Sequence, residues 1–501
     1  MSRRRGGALL ALGVLGIAVG SISASAGATL PPSGGDGSSS SSLPVASTTP
    51  GSAASSASIG AIRHVVVVVE QNHTFDSYFG RYPGVDGLTG VAAPLLPGGQ
   101  GERATFTDYS AAAVDTALAG RTTEALDSSQ TMADRVLANG TDQLLLAQAA
   151  EGHAWQLATT VHTAASAAPL WSVAKSGVLF DHYFSSEPGG TVRNVLSLLT
   201  GTTVDLADGG GDTLKDLRDL KVPTVFDELQ QAGHSWKYYV GDLAKVDGPA
   251  VVSGKYLRPD ATPPAALTWA PVLGMRRFWD DAALSSNFAD QEQLYVDAAQ
   301  GRLPDVSFVL PQPTDHPNSA GDVGQTRLLS VLNAVTSSPN WDSTAVFVVW
   351  DDWGGMFDHV TPPAGRGSRV PMILLSPWVT PGTIASESFD HLSVLNFIVR
   401  QFGLASMSAR QDAAKTFDRL FVPTASAAPV FSKVPLPRGP VGTGHQNALT
   451  LALYALAFFA TIGFFVWVWR RPSPGGRGRD DDDDEPLVGP PITPADEVSV
   501  G

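Results

Sequence analysis

Apolar and polar positions along this chain fall into blocks rather than alternating singly. Five valines, Val65 to Val69, end abruptly in Glu70, Gln71, Asn72, His73 and Thr74. A short, uniform β-branched run predicts a strand buried on both faces, the habit of parallel sheets covered by helices. The polar cluster then sits at the strand's carboxyl end, where open α/β sheets bind ligands. A polar turn after a core strand gives the same pattern, so other strands have to break the tie. Ala345 to Trp350 is a second such run, ending in Asp351 and Asp352 before the glycines Gly354 and Gly355 turn the chain. A third, Val306 to Leu310, leads through a Pro-rich turn to Asp315 and His316. The fourth element is a turn and a helix: Pro188-Gly189-Gly190 opens a helix-like run that starts at Thr191 and carries Arg193 and Asn194.

The chain ends read differently. Arg3, Arg4 and Arg5 precede an apolar run from Ala8 to about Gly20 and then small residues, which predicts a secretory signal over 1–28, by either the Sec or the twin-arginine route. Residues 29–60 are Ser, Gly, Pro and Ala with almost no large apolar side chain, a flexible linker by composition. At the other end, residues 448–469 are uncharged and apolar over a length that suits a transmembrane helix, with Arg470 and Arg471 directly after. The positive-inside rule then expects a single-pass cell-membrane protein, with a linker at 426–447, the C-terminus in the cytoplasm and the middle of the chain outside. The tail, 470–501, carries the acidic run Asp480 to Asp484 and reads as a solvated, disordered segment.

At 501 residues the chain has room for a large core, expected over 61–425. With no cysteine, that core has to hold without disulfides. The net charge of −15 argues against a nucleic-acid partner. Oligomeric state is not legible.

Adjacent carboxylates repel one another unless a proton or cation lies between them, so Asp351 and Asp352 at a sheet edge suggest a bound divalent metal. Thr191 at a helix N-terminus would find backbone N–H groups and a dipole that favour negative charge, suited to an alkoxide and its phosphoryl adduct. Asn194, three residues on, points roughly to the same side. Taken alone, Thr191 is also a good helix cap. His316, and likewise Asp358 and His359, are candidates for phosphate or leaving-group contacts, or are structural. A hydroxyl nucleophile, an acid pair and a strand-end amide cluster together make phosphoester hydrolysis the leading expectation.

The stretches "RHVVVVVEQNHTFDSYFG", "SGVLFDHYFSSEPGGTVRNVLSLLTGTT", "PTVFDELQQAGHSWKYY", "LPDVSFVLPQPTDHP", "VFVVWDDWGGMFDHVTPP" and "RVPMILLSPWV" follow one another in an order that resembles the bacterial phosphoesterase family of phospholipases C and acid phosphatases, within the alkaline-phosphatase-like superfamily. The resemblance covers about Ile62 to Leu404. It implies a three-layer α/β/α sandwich with a mostly parallel central sheet, to which the apolar C-terminal segment would add one transmembrane helix. It also implies one divalent metal, with calcium, magnesium, manganese and iron all open. Its ligands would be Gln71, Asn72, Thr191, Asp351 and Asp352, with Thr191 the nucleophile and His316 contacting phosphate or protonating the leaving group.

Two positions depart from the family. Its Glu-Asn pair is here Gln71-Asn72, with a glutamate one position earlier at Glu70, and Arg193 stands where it has a proline before Asn194. Successive strand residues face opposite sides, so Glu70 does not simply replace the missing ligand, whereas Gln71 can still offer an amide oxygen. The substrate implied is a phosphomonoester or a phospholipid head group. An alternative is a catalytically weakened relative that binds a phosphorylated ligand or partner. A sulfatase fits less well, since the "TVRN" context and the absence of cysteine do not match.

Overall fold

The computed structural model describes residues 59–94, 103–110, 157–204, 206, 213–258, 260–312, 323–423 and 425–431. The expected signal, the acidic tail and His316 lie outside these residues, as do the expected linkers except for residues 59, 60 and 426–431.

Eight strands form the central sheet: β1 (His64–Glu70), β2 (Val178–Phe180), β3 (Trp236–Val240), β4 (Phe288–Asp290), β5 (Val306–Leu310), β6 (Thr344–Trp350), β7 (Met372–Leu375) and β8 (Thr383–Ala385). Their spatial order is β8-β2-β7-β6-β1-β5-β3-β4. All neighbours pair in parallel except at β7, which runs antiparallel to both β6 and β2. Every residue of β5 and β6 is buried, as are Val65 to Glu70 of β1. Burial on both faces is what selects the continuous valine, phenylalanine and leucine runs, each full burial of such a side chain contributing about 1.5–3 kcal/mol.

The helices that bear on the site are α1 (Phe75–Phe79), α2 (Ala168–Lys175), α3 (Thr191–Thr200), α4 (Val225–Ala232), α5 (Gln291–Ala299), α6 (Val323–Thr336), α7 (His391–Gln401) and α8 (Ala409–Asp412). Helix α6 packs with α2 and α5, α3 packs with α4 and α7, and α8 packs on α7. α3 is amphipathic: Val195, Leu196, Leu198 and Leu199 are buried, and Gly201 ends it in the left-handed conformation (φ 71°), where a glycine costs nothing.

Register places the site. Glu70 pairs with Trp350, so the residues that follow β1 and β6 leave the sheet side by side, about 4.8 Å apart. The two polar clusters are thereby neighbours at the carboxyl edge, although some 280 residues separate them in sequence.

The fold is thus mixed α/β around one large sheet, and one expectation needs correction. Among the described residues no helix is long and apolar enough to cross a membrane. Helix α6, 14 residues long, measures about 21 Å against roughly 30 Å of bilayer hydrocarbon. The transmembrane helix expected at 448–469 lies outside the described residues and is not supported.

Candidate active site

After Glu70 the chain turns sharply. Asn72 adopts the left-handed conformation (φ 57°), which asparagine tolerates better than most residues. The turn aims the Asn72 backbone N–H at Asp351 Oδ1 (2.9 Å) and its side-chain Nδ2 at Asp352 Oδ1 (3.2 Å). Asp352 N also donates to Asp351 Oδ1 (2.8 Å), and Gly354 N to Asp352 Oδ1 (2.7 Å). One oxygen of each carboxylate is therefore held by two N–H groups. The other oxygens are left for something else: Asp351 Oδ2 has no hydrogen-bond partner, and Asp352 Oδ2 receives the Thr191 hydroxyl at 3.1 Å.

Thr191 is the first residue of α3 and lies beside the acid pair. Its hydroxyl is also 3.4 Å from Gln71 Oε1. Gln71, not Glu70, thus faces the nucleophile position, and the Glu70 carbonyl instead accepts from Asp351 N (3.1 Å) within the sheet. Five of the residues singled out in the sequence, Gln71, Asn72, Thr191, Asp351 and Asp352, come together here.

Burial pushes the Asp351 carboxyl up to about 6. Burial and the neighbouring Asp351 charge push Asp352 up well above the usual carboxylate range. Two buried carboxylates with nothing positive between them are costly, and a divalent cation relieves both. The donor set fits a hard cation: Asp351 Oδ2, Asp352 Oδ2, Asn72 Oδ1, Gln71 Oε1 and Thr191 Oγ1 are all oxygens, and Asp351 Oδ2 and Asn72 Oδ1 are buried without partners.

Behind the pair, His391 at the start of α7 lies 2.9 Å from the Asp351 carbonyl through Nε2 and 2.9 Å from the Tyr183 hydroxyl through Nδ1. Burial lowers His391 to about 4, so the ring is neutral at pH 7. A carbonyl only accepts, which fixes the proton on Nε2 and makes Tyr183 the donor to Nδ1. The backbone of the acid pair is thereby tied to α7.

Asn194 is not brought to the site. Its Oδ1 accepts from Glu187 N (2.9 Å), and its Nδ2 donates to the carbonyls of Glu187 (3.1 Å), Gly189 (3.2 Å) and Gly190 (3.3 Å). Three residues along a helix share a face, but in the first turn that face looks back on the incoming loop. Arg193 likewise turns away, donating to the Leu206 carbonyl (2.6 Å).

Asp358 and His359 belong to a separate buried network. Together with Asp76 they bring ligand atoms within 4.8 Å of one another, as a metal site would. The position is taken, however, by the fully buried Arg369 guanidinium, which donates to Asp76 Oδ1 (2.9 Å) and to both oxygens of Asp358 (3.0 and 3.2 Å). His359 Nδ1 meets Asp76 Oδ2 at 2.7 Å. Burial works against the His359 cation, but the Asp76 hydrogen bond and the Asp76 and Asp358 charges outweigh it and raise the pKa. This network and the bond from Thr74 Oγ1 to the Phe357 carbonyl (2.7 Å) lace the loop after β1 to the loop after β6.

Fold and site together define a mixed α/β protein with an oxygen-lined acidic site at the carboxyl edge of its sheet. The chain belongs to the phosphoesterase family, which it matches over residues 62–405. A non-hemolytic phospholipase C of Pseudomonas aeruginosa is 29% identical over 408 residues, covering 68% of this chain and 54% of that protein. A second, from Burkholderia pseudomallei, is 27% identical over 398 residues, covering 69% and 56%. Phospholipase C B of Mycobacterium tuberculosis is 26% identical over 405 residues, covering 70% and 76%. The chain thus spans little more than half the length of the first two. A solved protein of the alkaline phosphatase superfamily from Vibrio parahaemolyticus is matched at 13% identity over 48% of this chain and 62% of that one, with a TM-score of 0.31, too low to carry an argument.

Proposed function

We propose that the protein hydrolyses phosphate esters through a phospho-threonine intermediate on Thr191. The observation that carries this reading is the convergence of the Thr191 hydroxyl, two adjacent buried carboxylates and two amide side chains at the sheet edge. Membership of the phosphoesterase family supports the reaction class, and the names of the relatives support a phospholipid head-group ester as substrate.

In the first half-reaction a bond forms from Thr191 Oγ1 to phosphorus as the bond from phosphorus to the ester oxygen breaks. The hydroxyl proton passes to water as that bond forms, and the existing 3.1 Å hydrogen bond to Asp352 Oδ2 holds Thr191 Oγ1 beside the acid pair. The phosphoryl oxygens face the first turn of α3, whose backbone N–H groups lack intrahelical partners and favour an anion. His316 protonates the departing alkoxide. Water then attacks phosphorus in the adduct, frees phosphate from a monoester or the phosphorylated head group from a phospholipid, and restores the Thr191 hydroxyl.

A divalent cation held by Gln71, Asn72, Thr191, Asp351 and Asp352 would supply Lewis-acid stabilisation of the developing negative charge. The role of the protein is to hold those oxygens fixed, which the paired N–H donors to each carboxylate achieve without solvent reorganisation.

The test is hydrolysis of p-nitrophenyl phosphate and p-nitrophenyl phosphorylcholine by the purified protein, with and without chelator, alongside Thr191→Ala. Chelator-sensitive turnover that Thr191→Ala abolishes is expected, and the preferred substrate separates monoester from head-group chemistry. A folded wild-type protein that turns over neither substrate with calcium, magnesium, manganese or iron supplied contradicts the proposal.

A further inference from the structure

Helix α3 carries Thr191 at its first residue and is gripped from both ends by one short segment, residues 407–411, that lies beyond the family match ending at 405. Before α3, the Arg410 guanidinium donates to the Ser186 carbonyl (2.5 Å) and to Glu187 Oε1. After α3, Arg410 Nη1 donates to the Thr203 hydroxyl (2.9 Å), and Ser408 Oγ donates to the Gly201 carbonyl (2.5 Å). The approach is close: a Cβ added to Gly201 would lie 3.1 Å from Gln411 Cβ and 3.3 Å from Ser408 Oγ. The segment is itself anchored to α7, because Gln411 Nε2 donates to Asn396 Oδ1 (2.9 Å).

Glu187 is the pivot. It is 6% exposed, accepts from Ser197 Oγ (3.2 Å) and Thr203 Oγ1 (2.9 Å), and among the described residues its only ion pair is with Arg410. Asn194 binds the backbone of Glu187, Gly189 and Gly190, so the loop that holds the carboxylate and the first turn of α3 form one hydrogen-bonded unit. Without Arg410 the buried Glu187 charge has no counter-ion and its loop must open toward water. The first turn of α3 moves with it, and Thr191 Oγ1 leaves its 3.1 Å contact with Asp352.

We infer that Arg410 is a positioning residue for the nucleophile, acting through Glu187 and Asn194 on the first turn of α3. The inference rests on the reading of Thr191 as the attacking group. Misplacement on the scale of 1 Å lowers the chemical step by about 10²-fold while leaving ground-state contacts largely intact.

The experiment measures kcat and KM for p-nitrophenyl phosphate and p-nitrophenyl phosphorylcholine, on the full-length protein with manganese, magnesium or calcium supplied. The variants are Arg410→Ala, Arg410→Lys, the double variant Glu187→Gln with Arg410→Ala, and Thr191→Ala, each checked for folding by its thermal transition. Arg410→Ala is expected to lower kcat by roughly 10- to 100-fold with KM within about threefold of wild type. Lysine at 410 should restore part of the loss. Glu187→Gln in the Arg410→Ala background should also restore part of it, because it removes the uncompensated charge. A merely structural contact predicts neither the kcat-selective loss nor the rescue by a second substitution. The inference is overturned if folded Arg410→Ala keeps kcat within threefold of wild type, or if its loss is relieved by neither lysine nor Glu187→Gln. Should Arg410→Ala fail to fold, Arg410→Lys and the double variant carry the same decision. Turnover that survives Thr191→Ala overturns the nucleophile assignment itself, and that outcome is separate from anything seen at Arg410.

Discussion

Alanine at position 354 should disable the site and leave the sheet standing. Gly354 has φ +60°, and a Cβ built on it lies 2.4 Å from the Asn72 carbonyl oxygen and 2.7 Å from Asn72 Cβ. Ordinary contact begins at 3.4 Å, so the loops after β1 and β6 must separate by 3.4 − 2.4 = 1.0 Å. Neither loop has slack to absorb this. Asn72 is itself at φ 57°, and its N–H and Nδ2 hold Asp351 and Asp352, so the shift passes directly into the acid pair. A displacement of about 1 Å costs on the order of 10²-fold in rate. The left-handed conformation adds roughly 1–2 kcal/mol of strain for any side chain. Gly403→Ala is the control for strain alone, since Gly403 has φ +61° and nothing within 4 Å of its added Cβ. The assay compares kcat/KM for p-nitrophenyl phosphate with the thermal midpoint for wild type and both variants. Gly354→Ala should lose about 10²-fold in activity, whereas Gly403→Ala should lose a degree or a few of thermal midpoint and keep its rate. Gly354→Ala with activity within threefold of wild type would refute the argument that the two loops share one fixed spacing.

Other outcomes follow from the same geometry. Arg369→Met should destabilise the protein by about 3–5 kcal/mol in denaturant unfolding, because it strands the buried Asp76 and Asp358 carboxylates. His359 has a folded-state pKa above its unfolded value, so its contribution is fully present below the unfolded pKa, near 6.5, and is lost as pH rises through the folded value. The stability gap between wild type and His359→Gln should therefore be widest in acid and close on raising the pH, and a gap that widens with pH would contradict the ion pair with Asp76. Gln71→Glu adds a carboxylate beside Thr191 and should tighten manganese or calcium binding in calorimetry by tenfold or more, about 1.4 kcal/mol. Unchanged affinity would remove Gln71 from the proposed ligand set.

The parts of this architecture that burial dictates were open to reading from sequence. Val65 to Val69 and Ala345 to Trp350 are covered on both faces, and only continuous apolar runs satisfy that environment. Their polar ends were legible for the same reason, because a buried strand that stops in Gln71-Asn72 or Asp351-Asp352 has left the core at the sheet's edge. Contacts between distant segments left no local trace. Nothing near Asp358 announces that Arg369 fills the space a metal would take, or that Asp76, some 280 residues earlier, completes the network. His391 carries the Asp351 carbonyl from a helix that no motif links to the acid pair. Asn194 shows the limit of periodicity, since a spacing of three gives a shared face but not what that face meets at the helix end.

The central claim is that Thr191 carries the phosphoryl group in turnover, and the most direct measurement is to catch it there. Wild type and Thr191→Ala, mixed with p-nitrophenyl phosphate and a divalent metal and quenched in acid within the first turnovers, would be digested and the peptide containing residue 191 weighed by mass spectrometry. The account predicts a phosphoryl adduct on Thr191 in the wild type, formed in step with an early burst of p-nitrophenol and absent in the variant. Steady turnover with no adduct on that peptide, or turnover by Thr191→Ala at the wild-type rate, would contradict it.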